Sequence, residues 1–98
     1  MMNYAVYYRK PNCWQDTVTI DSVHKEETHR FLGFVDGKSL EDVFEKMQGE
    51  VWSPEGEARE MILALGLTHT SMMMGDVAVD SHGTFWLCDF VGWKALEK

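Results

Sequence analysis

Residues 3–9 alternate, with Tyr4, Val6 and Tyr8 on one face and Ala5, Tyr7 and Arg9 on the other, a period of two that predicts a half-buried strand. Lys10-Pro11-Asn12 breaks that strand, and the β-branched run Thr17-Val18-Thr19-Ile20 reads as a short strand or the extension of a loop. A second strand is predicted from His29 to Val35, closed by the turn residues Asp36-Gly37-Lys38. From Ser39 the period lengthens. Leu40, Val43, Phe44 and Met47 fall on one stripe of an amphipathic helix, with Ser39 as N-cap and Asp42 placed for a reciprocal capping bond.

A second helix is predicted from about Pro54 to Leu65, with Ser53 as its cap and Gly66 as its left-handed stop. Ala58, Met61, Ile62 and Leu65 would be its buried stripe. Val77 and Val79, the turn Asp80-Ser81-His82-Gly83, and Thr84 to Phe90 read as a hairpin. The predicted fold is therefore a single α+β domain over residues 1–98. Its sheet would be small, antiparallel or mixed, of about four strands in the order β-β-α-α-β-β, with two helices packed on one face.

Ninety-eight residues leave room for one core, and 45% hydrophobic with 12% aromatic content is the composition of a chain that folds. Sixteen acids against nine bases give a net charge of -7, a field that repels phosphate backbones and anionic headgroups. Direct nucleic-acid or membrane binding is not expected. No apolar run approaches the ~20 residues that span a bilayer, and no apolar leader precedes Arg9 and Lys10. A cytoplasmic location follows, with Cys13 and Cys88 as free thiols.

The four histidines, His24, His29, His69 and His82, lack the spacing of a metal-ligand set. No nucleophile elbow, phosphate loop or dinucleotide fingerprint occurs, and Cys88 in an apolar strand reads as a buried, inert thiol. No catalytic residue, metal or cofactor is expected. The helices instead carry the acids Glu41, Asp42, Glu45, Glu55, Glu57 and Glu60. These either solvate the outer faces or form an acidic face that competes with nucleic acid for a basic groove on another protein. Glu41 and Glu45 repel each other at i, i+4, a cost that a merely solvated helix would usually avoid. Trp14 and Trp52, both expected in loops, are core lids or binding anchors. The run Met72-Met73-Met74 just before a strand favours core packing.

The segment His69 to Val79, followed by Gly83, Phe85-Trp86, Asp89 and Gly92-Trp93, resembles the YodL-like family of small bacterial, plasmid and phage proteins. Ser71, Met72, Gly75, Asp76, Val77, Gly92 and Trp93 fit its pattern; Met73 and Met74 depart where the pattern has Ser and Val. The resemblance implies no catalytic residues. It implies a small accessory protein of mobile-element origin that acts on a host protein. The motif itself is expected to be structural: Gly75 and Asp76 make a turn, Asp76 bonds nearby backbone N–H groups, and Gly92-Trp93 folds an indole over the sheet edge.

The expected function is thus a non-catalytic protein-binding module, an inhibitor of a host nucleic-acid-handling or defence protein with a basic surface. It would act through the acidic helices, with Trp52 among the contacts. The alternative is a small-ligand or nucleotide sensor whose pocket is lined by Trp86, Trp93 and nearby methionines. An exposed strand edge or aromatic patch also leaves a homodimer open.

Overall fold

The computed structural model describes residues 2–13 and 18–97; the expected loop tryptophan Trp14, and Thr17 at the head of the β-branched run, lie outside them. The alternating N-terminal run forms β1 (Met2–Arg9), with Tyr4, Val6 and Tyr8 buried. β1 is paired on both sides, with β2 (His29–Gly37) and with β3 (Val77–Val79), both antiparallel to it. β4 (Phe85–Asp89) and β5 (Gly92–Ala95) extend the sheet to the order β2-β1-β3-β4-β5. Among the described residues the fold is α+β, with a five-stranded antiparallel sheet and four short helices.

β2 and β3 flank β1 in the same direction, so the chain between them crosses one face of the sheet. That crossing holds α2 (Leu40–Lys46), α3 (Gly49–Trp52) and α4 (Arg59–Ala64). Val43, Met47, Ala58, Ile62, Leu67 and Met72 pack there against Tyr4, Val6, Tyr8 and Ala78. The other face buries Val77 and Leu87 beneath Val18 and Val23, the latter on α1 (Ile20–His24).

Five expectations need correcting. The end of the β-branched run is helix α1, because the Thr19 and Ser22 side chains exchange bonds with each other's backbone in a capping box. α1 also lies on the second face, so the helices do not share one face. The single helix expected from Pro54 to Leu65 is replaced by a turn and α4. Gly56 adopts φ +83°, outside the helical region, and Ser53 Oγ accepts the Ala58 N–H at 2.9 Å, holding that turn closed. Met61, expected in the buried stripe, is exposed, whereas Ala58 and Ile62 are buried as expected. Finally, Gly92-Trp93 belongs to a fifth strand, where Trp93 pairs with Cys88.

A groove beside the acidic helix

α2 begins where β2 turns back at Gly37, a position so close to the helix that a Cβ would stand 2.7 Å from Val43 Cγ2. Ser39 Oγ accepts the Asp42 N–H at 3.2 Å, as its capping role requires. Asp42 then folds back on its own helix. Its carboxylate accepts the Lys38 N–H at 2.9 Å and lies 3.4 Å from Lys46 Nζ, and the Lys38 bond leads the lowering of its pKa. Asp42 is therefore spent on capping α2, which leaves Glu41 and Glu45 as its outward acids.

Those two glutamates stand one helical turn apart with Phe44 between them. Facing them is the β4–β5 hairpin, whose two-residue tip, Phe90-Val91, is 85% and 91% exposed. Between helix and hairpin lies a cavity of about 350 Å³ lined by Glu41, Phe44, Glu45, Asp89, Phe90 and Trp93, together with Cys88 and Gly92. Burial pushes the Cys88 thiol up to about 11, and the charges of Asp76 and Asp89 add to the shift. Cys88 is a poor nucleophile in that setting.

The remaining sequence-selected acids lie elsewhere. Glu55, Glu57 and Glu60 are exposed around the turn into α4, and Glu57 accepts the Glu55 N–H at 2.7 Å. None of the three lines the groove. Trp52 is drawn into the core, its indole donating to the Thr70 carbonyl at 3.1 Å. Trp86 donates to Asp80 Oδ2 at 3.0 Å and does not line the groove that Trp93 lines.

The motif residues form a staple between layers. Ser71 Oγ accepts the Gly49 N–H at 2.7 Å, supplying the bond that the N-terminus of α3 lacks from its own N-cap side chain. The buried Met72 donates its N–H to Met47 at 3.0 Å, and Gly75 donates its own to Cys88 at 2.8 Å. Gly75 has φ +100°, and a Cβ there would collide with the Arg9 side chain. Asp76, fully buried, accepts the N–H groups of Arg9 and Met73 at 2.8 and 2.9 Å, and Val77 opens β3. Gly92, at φ +116°, and Trp93 begin β5.

Sequence spacing missed one association. His69 and His29 both converge on Gly75-Asp76: His69 Nε2 lies against the Asp76 carboxylate, and His29 Nε2 is 2.7 Å from the Gly75 carbonyl. His24 and His82 are exposed, and among the described residues no three His, Cys, Asp or Glu side chains are grouped to hold a metal ion. Among those residues, too, no helix is long and apolar enough to cross a membrane. Comparison with protein-family models, with curated proteins and with solved structures returned no match to this chain.

Proposed function

We propose that this protein is a non-catalytic binding module that docks a basic surface of another protein against α2 and the β4–β5 hairpin. The observation that carries the reading is the juxtaposition of Glu41 and Glu45 with the Phe44–Trp93 groove and the bare apolar tip Phe90-Val91. Acids on the rim steer a basic partner, and apolar side chains beside them supply area to bury. Asp42 and Trp52 drop out of the docking set on this reading, because each is held by its own fold. Inhibition of a host nucleic-acid-handling or defence protein is the form of this activity that the family resemblance favours.

Capture from host lysate at low and high salt, with the retained protein identified by mass, tests the reading. A basic partner should be held at low salt and released at high salt. Glu41→Lys with Glu45→Lys should abolish capture, whereas Glu55→Lys with Glu60→Lys should leave it intact. Equal loss in both pairs, or no salt-sensitive partner, would overturn the proposal.

A further inference from the structure

The two outer strands of the sheet differ in what guards them. On β2 the ladder slips opposite Val6 and Tyr7, the Glu26 carboxylate takes the Phe31 N–H at 2.9 Å, and Lys46 bonds the Asp36 carbonyl at 2.9 Å. An irregular edge whose polar groups meet its own side chains resists pairing. β5 is plainer. The Leu96 N–H reaches the Phe85 carbonyl at 2.8 Å, and antiparallel alternation from that bond points Lys94 and Gly92 at β4. The backbone N–H and C=O groups of Trp93 and Ala95 therefore face away from the sheet.

This edge runs directly beside the acidic groove, since Trp93 belongs to both. Three acids and three aromatic rings line that groove, and none of the described residues lining it is basic. Lys94 pairs with Leu87 and so lies on the opposite face of the sheet from Trp93.

We propose that the β5 edge takes an extended basic segment of the partner as a sixth strand, with an arginine or lysine side chain laid over Trp93 beside Glu41 and Glu45. This rests on the acidic-face reading above. Strand addition supplies main-chain bonds, while every second side chain of the guest points into the groove. A cation there meets an aromatic face and two carboxylates, a setting that suits the planar guanidinium best. A second copy of this chain would bring its own glutamates to the same place and be repelled.

The test uses the full chain and a short peptide of alternating arginine and valine, with binding read from tryptophan fluorescence. Two further peptides carry backbone N-methyl groups, one on the arginines and one on the valines, because only one set of N–H groups can face β5. One methylated peptide should bind about tenfold or more weakly than the other, roughly 1.4 kcal/mol, and Trp93→Leu should weaken the unmodified peptide. Equal binding by both methylated peptides, or no binding of the unmodified one, overturns strand addition. The acidic-face reading survives that result if Glu41→Gln with Glu45→Gln still releases the basic partner. Dimers that the peptide dissociates would assign the edge to a second copy and also overturn the proposal.

Discussion

His69 holds both oxygens of Asp76, its Nε2 lying 2.9 Å from one and 3.0 Å from the other, while its ring stacks on Tyr8 at a centroid distance of 4.6 Å. The same carboxylate accepts backbone N–H groups from β1 and from the turn at Met73. One buried side chain thereby joins β1, an inner strand, to the chain segment that precedes β3.

Removing that acceptor strands several buried donors at once. Asp76→Ala should cost on the order of 3–5 kcal/mol in urea unfolding, the cost of breaking a buried polar pair from one side. Asp76→Asn, which retains one carbonyl acceptor, should cost less. Equal losses would mean that shape, not acceptance, is what the site requires.

Acid should loosen the fold through His29. Burial lowers its pKa, against the opposing pull of the Gly75 carbonyl, so the folded value lies below the unfolded one of about 6.5. As pH falls through about 6.5 the unfolded chain gains a proton that the folded chain refuses, and stability declines by at most about 1.4 kcal/mol per pH unit. The loss levels off below the folded pKa. Denaturation curves from pH 8 to 5, about one and a half units either side of this value, should show the decline, and His29→Gln should be less stable but flatter over the same range.

Two glycines with positive φ make a controlled pair. Gly75→Ala must adopt a left-handed backbone and also collide with Arg9, whereas a Cβ on Gly56 meets nothing within 4 Å. Gly56→Ala should therefore cost only the backbone term, about 1–2 kcal/mol, and Gly75→Ala clearly more.

The hairpin tip separates docking from stability. Phe90 and Val91 are almost wholly exposed, so Phe90→Ala with Val91→Ala should change folding stability by no more than about 0.5 kcal/mol per site. Partner capture should fall by about tenfold or more if the tip is an anchor. Unchanged capture would remove the tip from the docking surface.

Where local pattern decides structure, the sequence was easy to read. β1 follows from strict alternation and α2 from its stripe and serine cap, and both form as expected. The helix expected over residues 54–65 failed because Ser53 and Gly56 favour a turn that competes with helix extension. β5 was hidden, since Gly92-Trp93-Lys94-Ala95 is a strand only by virtue of its pairing with β4. The groove was half visible: repulsion between Glu41 and Glu45 marked one wall, but nothing local places Trp93 opposite them. Likewise His69 and Asp76 are close in sequence, yet their partners on β1 come from the far end of the chain.

That last distance bears on how the molecule is made. The first strand in chain order, β1, lies inside the sheet between β2 and β3, and its bond to Asp76 spans 67 positions. During synthesis β1 can pair early with β2, but its other edge stays open until β3 emerges. Contacts of such long sequence separation slow folding and prolong the exposure of an unpaired apolar strand. The emerging chain therefore has its own α2–α4 crossing, laid over that strand, as the nearest cover against aggregation until the sheet closes.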